Sequence, residues 1–321
     1  KKPAATAMFP ENPGVDLYKS RVLIAPTGRN ALSMNEDLSK LVRLGEEVMT
    51  GQELLNSEYI PQGRRINIFK DKRGSYRALD MLYKKIHGEN FDTEMVMPTF
   101  DRSKPAPAIR NLNKAEILLI STGGVVPRGN PERMATGNST KWCKTDIQGL
   151  KDFEEGSWEA VHAGYDVTIA NSDPDRVVPL DVAVASVESG IVGKIHPYYV
   201  YTVGNGTQID RARRFGKEIA EYMKENNIDA AIMTSTWGTC NRCGATITKE
   251  IEREGFPVAH VTAIPSVALC VGANRIIQGV SIPHPLGNPK LSKQEEYKLR
   301  EEIFSKCLKA ITVDLEEQKV F

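Results

Sequence analysis

Short apolar runs alternate with helical patterns along the last two thirds of the chain. Four aliphatic-rich runs that end near glycine or polar residues are predicted to be buried strands: Ala115–Ser121, Tyr198–Val203, Asp229–Ser235 and Val258–Ala263. Between the second and third runs, apolar residues recur at helical spacing from Ile209 to Met223. Thr207 is the predicted N-cap of this helix, and Asp210 would complete a capping box.

Two further helices complete the pattern of this part of the chain. One follows the third strand and is predicted to end near Glu254, and a charged amphipathic helix runs from Lys293 to about Ile311. Strands that alternate with helices predict βαβ crossovers and a parallel sheet. The predicted fold class is therefore α/β, with parallel Rossmann-like sheets and flanking helices.

The first part of the chain carries a smaller set of elements. A strand is predicted at Val22–Ala25 and a helix at Glu36–Met49, with Asn35 as its N-cap. Another helix is predicted at Tyr76–Ile86, and the proline-rich stretch Pro98–Pro107 is typical of a connection between domains. We therefore expect two domains, an N-terminal α/β part over residues 1–100 and a Rossmann-like α/β domain over residues 101–321.

Open parallel sheets bind ligands at the carboxyl ends of their strands. That rule selects the loops Thr122–Asn130, Gly204–Thr207 and Thr236–Cys243, and the long segment Pro265–Pro289 after the last predicted strand. Gly204–Thr207 lacks the third glycine of a dinucleotide-binding motif, which favours a structural turn.

Composition narrows the classes of partner. The 321 residues carry 42 Lys+Arg and 41 Asp+Glu, a formal charge of +1, which argues against nucleic acid and against an anionic membrane surface. The longest apolar runs have the length of a core strand, and Lys1 and Lys2 precede no apolar stretch, so we expect a cytoplasmic protein with no transmembrane helix. The turn-rich start, Met8–Gly14, predicts that an N-terminal segment is missing.

Five cysteines occur, and Cys240 and Cys243 form a C-x-x-C pair where a strand turns into a helix. The free N–H groups at a helix start favour a thiolate, and Arg242 acts in the same direction, which indicates redox cysteines of low pKa. A half zinc site and purely structural cysteines are the alternatives, but the chain has no second C-x-x-C and no H-x3-5-H, so no metal is predicted. Among the histidines, His260 is expected in the core, and His284 is the functional candidate.

The segment around these cysteines resembles a known family. Thr234-Ser235-Thr236, Gly238-Thr239-Cys240 and Arg242-Cys243-Gly244-Ala245-Thr246, with dispersed blocks such as Pro10–Gly14, Asn171–Val177 and Thr202–Thr207, are similar to the selenoprotein B subunit of glycine, sarcosine and betaine reductases. The resemblance extends over essentially the whole chain. In that family position 237 is selenocysteine, encoded by UGA, whereas here it is Trp237.

The resemblance implies a reductase that cleaves the carbon–nitrogen bond of an amino acid as part of a multi-subunit complex. It implies selenocysteine at position 237 as nucleophile, Cys240 as resolving residue and Cys243 as a second candidate. No cofactor is expected in this chain, since the pyruvoyl group belongs to a partner subunit, and a small selenoprotein A accepts the carboxymethyl group. Arg275, His284 and Asn274 are the hypothesised substrate-binding residues, with an arginine fork suited to a carboxylate.

Trp237 leaves several interpretations of the site open. The tryptophan would be an artefact of translating the UGA codon of the gene sequence, or the codon would have been read as Trp during expression. Alternatively, the protein would be a natural departure from the family. If Trp237 is genuine, the chain would be an inactive scaffold subunit or a dithiol oxidoreductase that uses Cys240 and Cys243. Glycine, sarcosine and betaine all remain possible substrates at this level, and glycine is the first expectation.

Overall fold

The computed structural model describes residues 4–28, 33–50, 59–62, 71–91 and 100–321. Contacts divide the chain into two compact units, Lys1–Val96 and Met97–Phe321. Residues 98 and 99, at the start of the predicted connection, lie outside the described residues. No helix in the described ranges is long and apolar enough to cross a membrane.

The first unit contains a small parallel sheet and helices. Its elements are β1 (Ala5–Met8), α1 (Pro13–Tyr18), β2 (Leu23–Pro26), α2 (Met34–Thr50) and α3 (Gly74–Ile86), and β1 pairs with β2 in parallel. The strand and both helices predicted in this region are therefore present. Because α2 begins at Met34, the predicted N-cap Asn35 lies inside the helix, and that prediction is wrong.

The second unit begins with strands and short helices. Its elements up to the second long strand are β3 (Glu116–Ser121), β4 (Val125–Pro127), β5 (Cys143–Asp146), β6 (Trp158–Ala160), α4 (Thr168–Ser172), α5 (Leu180–Glu188), β7 (Lys194–Ile195) and β8 (Tyr198–Tyr201). The remaining elements are α6 (Ile209–Glu225), β9 (Ala230–Ser235), α7 (Gly238–Arg253), β10 (Val258–Thr262), α8 (Pro265–Val271), β11 (Arg275–Gln278), α9 (Lys293–Ile311) and β12 (Lys319–Val320). The four predicted long strands and the C-terminal helix are all confirmed.

One mostly parallel sheet organises this unit. Its strand order is β12-β11-β10-β9-β3-β8-β5, with β7 also paired to β3, and β5 is antiparallel to β8. The α/β class is confirmed, whereas the Rossmann-like arrangement stays a prediction. The sequence pattern missed α8 and β11, which lie within Pro265–Pro289, a stretch that it had assigned to one long loop.

The sheet is covered on both faces, as the sequence pattern of β3 requires. Ile117 and Leu119 pack into a core that includes side chains of α5 and α9, while Leu118 and Ile120 pack into a second core with α6 and α7. Side chains of successive strand residues point to opposite faces. A strand buried on both faces therefore needs an uninterrupted apolar run, which β3 has.

Parallel register aligns the carboxyl ends of the central strands. Ser121 pairs with Tyr201 on β8 and with Thr234 on β9, and Ser235 pairs with Thr262 on β10. The loops after β3, β8 and β9 consequently start from the same edge of the sheet. Because β8 and β9 flank β3 and lead into α6 and α7, respectively, this edge has the strand arrangement at which α/β proteins bind ligands.

Candidate active site

The central feature of this edge is the turn from β9 into α7. Trp237 is the N-cap of α7, with an extended backbone (φ −66°, ψ 164°) and no side-chain capping hydrogen bond. Its indole is 41% exposed. Side chains at an N-cap usually accept hydrogen bonds from the second or third helical N–H, and an indole has no acceptor for that purpose. The helix start is thus left with free donors beside position 237.

Cys240 lies in the first turn of α7 and is fully buried. Its Sγ lies 2.9 Å from Oγ1 of Thr122 and 3.0 Å from the Thr122 carbonyl oxygen, and it accepts a hydrogen bond from the Thr236 N–H at 3.3 Å. The first turn of α7 and the loop after β3 are therefore joined through this sulfur.

Burial controls the acidity of both cysteines of the C-x-x-C pair. Loss of hydration raises the pKa of the Cys240 thiol, although hydrogen bonds from Thr122 and Thr236 oppose the shift. Burial raises the pKa of Cys243 strongly, and Arg242 offsets only part of that effect. The expectation of two low-pKa thiols is wrong, because desolvation outweighs the helix start and the nearby cation.

A hydrogen-bonded chain of polar side chains leads from Cys240 into the sheet. Thr122 Oγ1 lies 2.8 Å from Ser235 Oγ, which lies 2.9 Å from Nε2 of His260. His260 is fully buried as expected, burial lowers its pKa to about 3, and its Nδ1 has no partner among the described residues. The chain of hydrogen bonds therefore has neutral His260 at one end and the Cys240 sulfur at the other.

Glycines make room for this close packing. A Cβ on Gly244 would lie 2.1 Å from Ser235 Oγ and 3.1 Å from His260 Nε2. A Cβ on Gly204 would lie 2.8 Å from the Cα of Cys240. The missing side chain at Gly204 lets the loop after β8 approach the start of α7, and the one at Gly244 lets α7 pack against Ser235 and His260 of the sheet.

Gly244→Ala is expected to lower the free energy of unfolding by about 1–3 kcal/mol, because the added methyl group overlaps Ser235 and the neighbouring polar chain. Urea denaturation measures the effect. Gly238→Ala is the matched control in the same helix: nothing lies within 4 Å of its Cβ position, so its stability should stay equal or rise by up to about 1 kcal/mol. Equal stabilities for the two variants would contradict the packing described here.

The loop after β6 contributes residues that the sequence analysis did not select for the site, although the block His162-x-Gly164-Tyr165-Asp166 belongs to the family resemblance. The Nδ1 atom of His162 accepts the Gly164 N–H at 3.0 Å, its Nε2 is buried with no partner among the described residues, and burial lowers its pKa to about 4. Cε1 of His162 and Cδ1 of Trp237 each lie 2.8 Å from the place that a Cβ of Gly164 would occupy. The hydroxyl of Tyr165 donates to the Gly123 carbonyl at 2.9 Å.

Asn241 is a second residue that the sequence analysis missed. Its side-chain amide donates to the carbonyl oxygens of Thr236 (2.6 Å) and Trp237 (2.9 Å), and its oxygen accepts the Thr262 hydroxyl. Because the amide binds two consecutive carbonyls, it fixes the backbone conformation at position 237. Its only sequence signal is an asparagine inside a C-x-x-C pair.

The turn after β8 packs against the same helix start. The Gly206 N–H donates to Thr239 Oγ1 at 3.0 Å, and Gly206 has φ +65°, which glycine adopts without strain. The prediction that Thr207 is the N-cap of α6 is wrong, since Gln208 is the N-cap. The Thr207 hydroxyl instead donates to the Val203 carbonyl and accepts from the Ser139 N–H. The interpretation of 204–207 as a structural turn agrees with these contacts.

Arg275 and Asn274 lie away from this edge, and their placement in a loop beside the site is wrong. Arg275 is the first residue of β11, three residues and about 10 Å before the carboxyl end of the strand. Its fully buried guanidinium pairs with Glu252 at 2.6 Å and donates to three backbone carbonyls, and Asn274 donates to the same carboxylate. Glu252 is near the end of α7, about 20 Å along the helix from Gly238.

His284 follows the carboxyl end of β11, two strands away from β9. Its Nδ1 donates to the carbonyl of Gly287 at 2.7 Å, within its own loop. Of the six residues predicted for the site, the structure therefore brings together Trp237, Cys240 and Cys243. Among the described residues, no group of three or more His, Cys, Asp or Glu side chains could hold a metal ion.

Comparisons with known proteins identify the family. The model of the family described as "Glycine/sarcosine/betaine reductase selenoprotein B" matches residues 1–236. The chain is 48% identical to the glycine reductase complex component B subunit gamma of Carboxydothermus hydrogenoformans. It is 40% and 41% identical to the sarcosine and betaine reductase complex component B subunits beta of Peptoclostridium acidaminophilum. Each match covers 99% of this chain and 74% of the relative, and no solved structure matches. The chain belongs to the glycine/sarcosine/betaine reductase selenoprotein B family.

Proposed function

We propose that the chain is the catalytic selenoprotein-type subunit of a glycine reductase, with position 237 as the reacting residue. The observation that carries this proposal is the location of position 237 at the N-cap of α7, partly exposed and three residues before Cys240. The γ atom of an N-cap side chain lies within reach of the first free N–H groups of the helix. These donors and the positive end of the helix would stabilise a selenolate at this position.

Cys240 is the proposed resolving residue. It is the third residue of α7, and its sulfur accepts a backbone N–H just before the helix. N-cap and third-residue side chains lie next to each other in the first turn, as in a capping box. This arrangement supports a selenenyl sulfide between positions 237 and 240, and it places Cys243, one turn further on, as the weaker candidate.

The selenol would supply the nucleophile for C–N cleavage: a selenium–carbon bond to the substrate α-carbon forms while the C–N bond breaks and its electron pair leaves with the amine. The residues of this chain would hold the reacting position, since Asn241 fixes the backbone and Cys240 anchors the first turn. We further propose that a pyruvoyl-containing subunit activates the amine and that a small selenoprotein A receives the carboxymethyl group. The reaction class would be an oxidoreductase acting on CH–NH bonds with a disulfide acceptor.

Glycine is the proposed substrate. The four relatives named as glycine reductase subunits are 43–48% identical to this chain, against 40% and 41% for the sarcosine and betaine relatives. The difference is small, so sarcosine and betaine are the alternatives within the same proposal.

The tryptophan at position 237 is proposed to represent a decoded UGA codon. The relatives match over 99% of this chain, on both sides of position 237, so the tryptophan stands inside an otherwise continuous family sequence. Burial and raised pKa values of both cysteines argue against a dithiol oxidoreductase that uses Cys240 and Cys243 alone. A scaffold subunit follows only if Trp237 is genuine.

Mass spectrometry of the protein purified from its native organism tests the proposal. Trypsin should release the peptide Glu225–Arg242, and we expect the selenium isotope pattern at position 237. The peptide Asp152–Arg176, which carries Trp158, is the internal control for an ordinary tryptophan. A mass that corresponds to Trp at position 237 would remove the nucleophile and overturn the proposed function.

A further inference from the structure

A cavity of about 350 Å³ lies beside the first turn of α7. Gly238, Thr239 and Arg242 line it from α7, and residues of α8, including Val267 and Cys270, line it from the other side. Residues spaced by three or four lie on the same face of a helix, so Arg242 and the start of α7 face one space. Gly238 directly follows position 237, so the cavity begins one residue along the chain from the proposed reacting residue, which is not itself part of the lining.

Arg242 is the single charged side chain in the described lining of this cavity. Its Nη2 donates to the Thr207 carbonyl at 3.1 Å, and its Nε is buried without a hydrogen-bond partner. No carboxylate in the part of the chain that the structure describes forms an ion pair with it. A guanidinium has five N–H donors in a planar fork, so this one keeps donors for a ligand.

The surroundings of Arg242 favour an anion. The first N–H groups of α7 point out of the helix start and carry its positive partial charge. Side chains of a helix lean towards its N-terminus, and Arg242 is about 7.5 Å along the helix axis from position 237, a distance that an arginine side chain spans. A half-buried guanidinium has lost part of its hydration, and a bound anion would replace the lost interactions.

We propose that this cavity is the carboxylate subsite of the reaction centre, in which Arg242 binds the carboxylate of the carboxymethyl unit that becomes attached at position 237. The inference rests on the proposed function. It replaces the carboxylate role hypothesised for Arg275, whose guanidinium is already bonded to Glu252 and backbone carbonyls. The ligand class is a small monocarboxylate with an electrophilic carbon next to the carboxylate.

Selective alkylation tests the subsite without the rest of the complex. Trp237→Cys is combined with Cys270→Ala, because Cys270 lines the same cavity, and the modification rates of residue 237 by iodoacetate and iodoacetamide are compared. In both reactions an S–C bond forms, the C–I bond breaks and iodide leaves. Both reagents consume the same thiolate, so their rate ratio does not depend on the pKa of the thiol.

We expect the iodoacetate-to-iodoacetamide ratio at residue 237 to exceed the ratio for glutathione by roughly tenfold. Arg242→Met should reduce it to the glutathione value, and Arg242→Lys should leave an intermediate ratio, since it keeps the charge without the fork. Arg214→Met, which removes an exposed arginine of α6 that pairs with Glu218, should leave the ratio unchanged. Circular dichroism verifies that each variant is folded.

A ratio that stays the same in Arg242→Met and Arg242→Lys would overturn the carboxylate subsite while leaving the proposed function intact. Failure of both reagents to modify residue 237 would overturn the subsite as well, because a carboxymethyl unit could not reach it. Failure of the proposed function has a separate sign, the mass of an ordinary tryptophan in the native peptide.

Discussion

Arg275→Met should lower the free energy of unfolding by about 3–5 kcal/mol. The Arg275 side chain is fully buried, pairs with Glu252 at 2.6 Å, and donates to the carbonyls of Ala106 and Ala310 at 2.7 and 2.8 Å. Its removal leaves a buried carboxylate without its cation and three carbonyls, including that of Val313, without this donor. Urea denaturation followed by circular dichroism measures the loss.

The matched control is Arg110→Met. Arg110 also forms an arginine–aspartate pair, with Asp314 at 2.7 Å, but its side chain is 72% exposed. Solvent screens such pairs, so the expected loss is at most about 1 kcal/mol. If Arg275→Met instead weakened substrate binding at unchanged stability, the assignment of Arg275 to the structural core would be contradicted.

Acid should destabilise the protein between about pH 6.5 and pH 3 through its buried imidazoles. Burial lowers the pKa of His162 to about 4 and that of His260 to about 3, from an ordinary value of 6.5. The unfolded chain therefore binds protons at a higher pH than the folded protein, so the contribution of both groups is complete above pH 6.5 and is lost as the pH falls. For His162 the full loss is roughly 3 kcal/mol, and His260 contributes more, roughly 5 kcal/mol, because its pKa is lowered further.

Urea midpoints measured at intervals from pH 7.5 to pH 3.5 give this profile. His162→Gln and His260→Gln remove one titrating group each and should each flatten the profile, although they change the stability at neutral pH as well. His87→Gln, at an exposed ring, is the control and should leave the slope unchanged. A wild-type slope that neither buried variant reduces would show that carboxylates cause the acid sensitivity instead.

Local sequence patterns predicted the elements that have strong local signals. The helix α9 was predicted at its observed limits, and Ser292 and Glu295 form a full capping box at its start. The short elements α8 and β11 were missed, because seven and four residues are too few to show a period. The capping role of Thr207 was wrong because a tertiary contact to Ser139 uses the hydroxyl, and no local pattern contains that contact.

In the candidate site, too, local spacing was predictable and tertiary contacts were not. The grouping of Trp237, Cys240 and Cys243 follows from their spacing at a strand–helix turn. Thr122 and His162, in contrast, come from loops more than 70 residues earlier in the chain, and only the strand order brings them to α7. Arg275 was chosen because the unpredicted β11 was taken for a loop, whereas an arginine at the start of a buried strand needs its own internal counter-ion.

The N-cap at position 237, which forms no side-chain capping hydrogen bond, affects which copies of the protein fold in the cell. Its side chain forms no capping bond and is partly exposed, so the start of the helix does not depend on a hydrogen bond from any particular residue there. A chain in which the ribosome inserts tryptophan should fold as well as one that carries selenium. Under the proposed function, such misdecoded copies would escape degradation as folded chains and occupy places in the complex, so the yield of active enzyme would depend on the fidelity of decoding at one codon.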